Sequence, residues 1–148
     1  MARLDYYAIE TAIKTLLEAD ATLAGTVVTV EDELLFGAER TPWVGIFLDR
    51  RDPGEQSLSA GTRTRYNIRL SIWCWEYSME SISKAIQLRD DLVGKVEVAL
   101  MKQRTLNDTV TKSWIEGGEL PSARVPDNNG FVSGGEIILI ADASATTT

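Results

Sequence analysis

Between Thr62 and Trp75 the chain alternates with a period of two, placing Tyr66, Ile68, Leu70, Ile72 and Cys74 on one side and Arg63, Arg65, Asn67, Arg69, Ser71, Trp73 and Trp75 on the other. Successive side chains of a strand point to opposite faces, so the pattern predicts a strand with one apolar face and one face of arginines and tryptophans. Upstream, Ile9, Ile13, Leu16 and Leu17 recur at three- and four-residue steps after Asp5, which predicts an amphipathic helix capped by Asp5 and stopped by Gly25. Thr26–Val30 is β-branched and reads as a strand, and Trp43–Leu48, opened by Pro42, is apolar on both alternating sets, as in a strand covered on both sides. A second helix is predicted with Ser78 as its cap, Glu80 in its first turn and a stripe of Ile82, Ala85, Ile86, Leu92, Val93, Val96 and Leu100. Strands over Thr109–Glu116 and Phe131–Ala141 complete the pattern, with Gly134-Gly135 marking a bulge or a close approach.

The order is helix, two strands, strand, helix, two strands. It predicts an α+β domain: a mostly antiparallel sheet with two helices packed on one face, spanning 1–142 and followed by a flexible tail at 143–148. Long polar connections are expected at Asp49–Gly61 and Gly117–Gly130, both beyond the usual span of a hairpin loop. Two helices cover one sheet face only. The face carrying Arg63, Arg65, Arg69, Trp73 and Trp75 is therefore left open, and a half-apolar open face suggests a partner.

Composition narrows the chemistry. The 148 residues include no histidine and one cysteine, Cys74, which excludes an internal disulfide framework, the common zinc-finger sets and Ser-His-Asp or Cys-His catalysis. A net charge of −7 opposes a protein built to grip nucleic acid. No apolar run approaches the ~20 residues of a membrane-spanning helix, and no signal peptide is readable near Met1, so a soluble protein made in the cytoplasm is the expectation.

Candidate sites are few. Glu31-Asp32-Glu33 with Glu39 could bind a divalent cation, but consecutive residues diverge and a solvated turn is the simpler reading. Neither Gly117-Gly118 nor Gly134-Gly135 has phosphate-loop spacing. Cys74 lies on the apolar side of its strand and reads as a small core residue. No catalytic residue, cofactor or metal site is expected. The arginines carry more: Arg63, Arg65 and Arg69 share a face, and Arg50 and Arg51 extend the stripe across the loop that also holds Asp52 and Glu55. Such a stripe suits ion pairing to carboxylates of a neighbouring subunit, with Trp73 and Trp75 as aromatic interface residues. Nucleic-acid binding by Arg63, Arg65 and Arg69 is the alternative from a different class.

With the strand Thr41-Pro42-Trp43-Val44-Gly45-Ile46, the long polar loop, the strand Tyr66–Trp73, the helix from Ser78 and the late Gly130–Ile137 segment, the chain resembles the tail terminator and tail-completion proteins of long-tailed bacteriophages over nearly its full length. The resemblance implies a subunit of a homo-oligomeric, typically hexameric, ring on the last ring of tail-tube protein. That ring ends tube growth and offers the surface for head–tail joining at the tail–neck junction of the virion. Implied partners are the tube protein and a head-completion or connector protein, with DNA only as a passenger through the channel. A head-completion role in the same particle is the near alternative. The resemblance also implies that the Asp49–Gly61 loop and its flanking strands make subunit or tube contacts.

Overall fold

A computed structural model describes residues 4–32, 41–53, 63–121 and 130–146. Helix α1 (Tyr6–Glu18) begins where Asp5 accepts the Ala8 N–H at 3.0 Å, satisfying one of the donors that a helix start leaves unpaired. A short 3₁₀ turn (Ala21–Leu23) leads to β1 (Val27–Val30), and β2 (Trp43–Pro53) and β3 (Arg63–Ser78) follow. Helix α2 (Ile82–Lys102), β4 (Lys112–Gly117) and β5 (Phe131–Thr146) complete the chain. The five strands form one sheet in the order β1-β2-β3-β5-β4, antiparallel except for the β1–β2 pair. The fold is α+β, as the alternation and helical stripes predict.

The period-two pattern of β3 holds over its length. Ile68, Leu70, Ile72 and Cys74 are fully buried and join Ile137, Leu139, Ala141 and Ala143 of β5 and Val44 and Ile46 of β2 in one core. Ile9, Ile13 and Leu17 of α1 and Leu92, Val93, Val96 and Leu100 of α2 cover that face. Burying such aliphatic side chains contributes roughly 1.5–3 kcal/mol each and drives the two-layer arrangement. Cys74 sits inside this core, and burial holds its thiol well above the ordinary range, so it stays protonated and packs as a small hydrophobe.

Four expectations are corrected. The cap of α2 is Ser81, whose hydroxyl accepts the Lys84 N–H at 3.0 Å. Ser78 is still in β3, opposite Phe131, and accepts the Glu80 N–H in the turn. Second, β2 continues through Asp49–Pro53, past an irregularity between Leu48 and Arg50, because the long β3 supplies Asn67 and Tyr66 as partners for Asp52 and Pro53. That part of the expected loop is strand. Third, β5 runs to Thr146, so Ala143–Thr146, expected as tail, pair with Arg63–Tyr66. Finally, β4 starts at Lys112, because Leu106, Asn107 and Asp108 take left-handed backbone angles and turn the chain there.

Two buried ionisable groups stand out from this apolar setting. Arg89 of α2, 5% exposed, donates through Nη1 to the carbonyls of Pro121 and Gly134 at 2.8 and 3.0 Å and through Nε to Asp90 at 2.7 Å. It ties the chain leaving β4 to the start of β5. Glu10 of α1 is 3% exposed, and among the described residues its Oε1 has no hydrogen-bond partner. Burial first, and then the adjacent Glu31 carboxylate, push its pKa up to about 8.

That shift fixes a pH dependence. The folded state holds the Glu10 proton up to about pH 8, whereas the unfolded chain releases it near the ordinary value of about 4.3. Stability therefore falls as pH rises between those values and levels off above them. Glu10→Gln should remove most of this slope, leaving the variant more stable than the parent by roughly 1–3 kcal/mol at pH 8.5 and little changed at pH 4. Thermal melts of both proteins across this range check it; parallel melting curves at all pH values contradict it.

Candidate assembly surface

The face of the sheet turned away from α1 and α2 carries one alternating set of each strand: Trp43, Gly45 and Phe47 of β2, Arg65 to Trp75 at alternate positions of β3, and Gly134, Glu136, Ile138, Ile140 and Asp142 of β5. It divides along the strands into an aromatic half and a charged half. In the aromatic half Trp43 pairs across the strands with Trp75, and Gly45 with Trp73. The Trp43 and Trp75 rings stack with centroids 6.4 Å apart, and Trp73 and Trp75 with centroids 5.5 Å apart, at interplanar angles of 18° and 17°. Offset stacking of this kind is favourable beyond the area it buries. Trp43 is 4% exposed and gives its indole N–H to Thr29 of β1 at 2.9 Å; Trp73, Trp75 and Phe47 remain half-buried.

Glycine makes this shelf possible. A Cβ at Gly134 would lie 2.4 Å from Cζ3 of Trp75, so the ring rests where only a hydrogen stands on the backbone. On its other side the same stretch is held by Arg89, since a Cβ at Gly135 would meet the Arg89, Leu120 and Val93 side chains at 2.8–2.9 Å. The Gly134-Gly135 pair is a close-approach point, and the β3–β5 register passes through it unbroken.

In the charged half the arginines do not point unpaired into solvent. Arg65 grips Asp142 of β5 through Nε and Nη2, at 2.8 and 2.5 Å, and the Asp142 side chain is only 4% exposed. Arg69 pairs with Asp49 at 3.1 Å and reaches Glu116 at 3.9 Å, and Arg50 pairs with Asp52 at 3.1 Å. Ser71 donates to Glu136, and the Lys112 ammonium stands 5.7 Å from the Trp114 ring centroid. Among the described residues this half is thus a mosaic of opposite charges.

The expected stripe is therefore only partly assembled. Arg50, Asp52, Arg65, Arg69, Trp73 and Trp75 share the open face. Arg51 does not: strand alternation turns it to the helix side, where it donates to the Tyr6 hydroxyl at 2.6 Å and lies 4.8 Å from the Tyr66 ring centroid. Arg63 occupies the register position opposite Thr146, and Glu55, Glu33 and Glu39 lie outside the described residues. Glu31 is described; its carboxylate accepts the Leu48 N–H at 2.9 Å and faces Glu10. Among the described residues no three His, Cys, Asp or Glu side chains converge as a metal site would need, and no helix is long and apolar enough to cross a membrane.

Sequence reasoning passed over Arg89 and Glu10. A signal for both existed: each falls at helical spacing within an apolar stripe, Arg89 four residues after Ala85 and Glu10 three before Ile13. A charge placed there must be buried and partnered.

Two outcomes test the surface. Arg65→Ala removes the two-point grip on the buried Asp142 carboxylate and should cost roughly 3 kcal/mol in chemical denaturation, whereas Arg50→Ala, at an exposed pair, should cost under about 1 kcal/mol. Gly134→Ala should destabilise by roughly 1–3 kcal/mol and alter the tryptophan emission spectrum as Trp75 lifts from the backbone; an unchanged spectrum and melt contradict the shelf.

No family model and no curated protein matches this chain. Among solved structures it is similar to a chain in the virion of a native gene transfer agent particle, with 16% sequence identity, 93% of each chain covered and a TM-score of 0.42.

Proposed function

We propose that this chain is a structural subunit of a phage-like particle, acting through surfaces rather than through chemistry. The observation that carries the reading is the uncovered sheet face. Among the described residues two helices seal one side of the sheet, and on the other Trp73, Trp75 and Phe47 stay partly exposed beside a shelf of stacked rings. Aromatic side chains on an open face are the anchors from which protein interfaces draw most of their energy. Arg50, Arg65 and Arg69 are already paired within the chain and so offer less to a polyanion; with a net charge of −7 this disfavours the nucleic-acid alternative.

Within that class, the resemblance in element order and strand texture to tail terminator and tail-completion proteins supports the finer reading. The subunits form a ring, typically a hexamer, on the end of the tail tube, stop its growth, and present the surface to which the head-completion protein docks. A net negative charge suits a channel through which DNA slides without adhering. The aromatic half of the sheet face is the contact between subunit and neighbour. The paired charges beside it set orientation and exclude wrong partners more than they add affinity.

At high protein concentration negative-stain electron microscopy should show closed rings. Trp73→Lys should abolish them while shifting the melting temperature by only a few degrees, because Trp73 lies at the surface and is partly exposed. Ring formation should respond weakly to salt, since the arginines exchange few ions. A steep loss of DNA affinity with salt, in a protein that binds DNA and forms no rings, would instead favour nucleic-acid binding.

A further inference from the structure

Helix α2 carries a second stripe, on the side opposite its core face. Gln87, Gly94, Val98 and Met101 fall within about 60° of one another around the helix axis at 100° per residue, and all four are exposed, Val98 and Met101 at 56% each. Val98 and Met101 are apolar residues on a helix that has already buried Leu92, Val93, Val96 and Leu100 on its other side. Gly94 opens a notch: an added Cβ there meets nothing within 4 Å, and a groove of ≈ 460 Å³ runs over it between Asp90, Asp91, Lys95, Val98 and Lys102, with Thr22 on the rim. The charges that line this groove are polarised: Asp90 and Asp91 lie N-terminal to Gly94, and Lys95 and Lys102 C-terminal to it.

This arrangement is complementary to itself when reversed. We infer that the outer stripe of α2 binds the same stripe of a second copy of this chain, antiparallel, about a two-fold axis level with Val96. In that pairing Val98 of each copy enters the Gly94 notch of the other, because the two positions lie equally far from the axis. Asp91 of each copy meets Lys102 of the other on the same flank. Glu97, one residue from the axis along the chain, sits about 70° round the helix from the centre of the stripe, on the flank opposite Asp91 and Lys102, and so lies clear of the Asp91–Lys102 pairs. A small residue at the crossing point lets two helices approach closely.

The ion pairs this requires are available at little cost. Asp91 now pairs with Lys95 at 2.9 Å and Lys102 with Asp20 at 3.5 Å, and Asp91, Lys95 and Lys102 are 62%, 43% and 64% exposed. The Asp91–Lys95 pair is exposed on both sides and exchanges readily, and Asp20, although its side chain is only 8% exposed, keeps the Thr22 N–H and hydroxyl as donors when Lys102 turns away. Two copies of a chain carrying −7 repel overall, and a contact that sets each acidic end against a basic end is the way such copies meet. A two-fold contact is closed and stops at two copies, unlike the head-to-tail contacts of a ring. It lies on the opposite side of the molecule from the aromatic sheet face and is independent of it.

Sedimentation equilibrium on the full chain tests the inference. The parent should dimerise reversibly, more weakly as salt rises. Asp91→Lys and Lys102→Asp should each weaken the dimer by roughly tenfold or more, and the double exchange D91K/K102D, which restores opposite charges across the two-fold, should recover it to within a few-fold. Gly94→Leu fills the notch without touching the fold, so it should weaken dimerisation while leaving the melting temperature equal or higher. Trp73→Lys should leave the dimer intact. A parent that remains monomeric, a double exchange that fails to recover dimerisation although folded, or a dimer lost on Trp73→Lys overturns the inference.

Discussion

Sixteen consecutive residue pairs join β3 to β5, from Arg63 opposite Thr146 to Ser78 opposite Phe131, and everything else in the molecule is placed by that ladder. A ladder of this length locks the register. A one-residue slip would carry Ile68, Leu70, Ile72 and Cys74 to the open face and bring Arg65 and Arg69 into the core. The cost of burying those guanidinium groups unpaired excludes it. β2 and β4 take their registers from the ladder's two outer edges, and α1 and α2 close over the side that the ladder leaves apolar.

The same register explains the chemistry of the opposite face. Because Trp75 lies opposite Gly134, a large ring can lie flat on the neighbouring backbone; because Asn67 lies opposite Asp142, Arg65 reaches that carboxylate two residues along its own strand. An aromatic shelf and an ion-paired mosaic thus arise from one alternation read on two strands at once. Arg89 reaches the ladder from the helix side and holds the Gly134 carbonyl, so the ground under Trp75 is fixed from behind by a buried cation. This links the core of α2 to the surface proposed for assembly through three residues in direct succession.

Two surfaces of different character emerge. The sheet face offers aromatic area beside charges satisfied internally, which suits a lasting contact. The outer stripe of α2 offers a small apolar patch between exposed, polarised charges, which suits a weaker and salt-sensitive one. Among the described residues the layers are one sheet and two helices, both surfaces lie on their outer sides, and neither requires a movement of the core.

Much of the fold was readable from the residues alone. The alternation over Thr62–Trp75 and the stripes around Ile9–Leu17 and Leu92–Leu100 determine strand, helices, the buried face and the α+β class, because burial of one face imposes a period that local sequence must obey. The candidate surface was readable only as a parity: Arg65, Arg69, Trp73 and Trp75 had to share a side. What tertiary structure alone decided was which groups meet across strands. The pairing of Arg65 with Asp142, seventy-seven positions apart, the seating of Trp75 on Gly134 and the turn of Arg51 to the helix side depend on register and strand extent. The same holds for Asp49–Pro53 and Ala143–Thr146, polar or small segments that read as loop and tail but become strand because β3 is long enough to pair with both. Periodicity is a local property of the chain, while a partner's hydrogen bonds and carboxylates arrive only when distant strands are brought side by side.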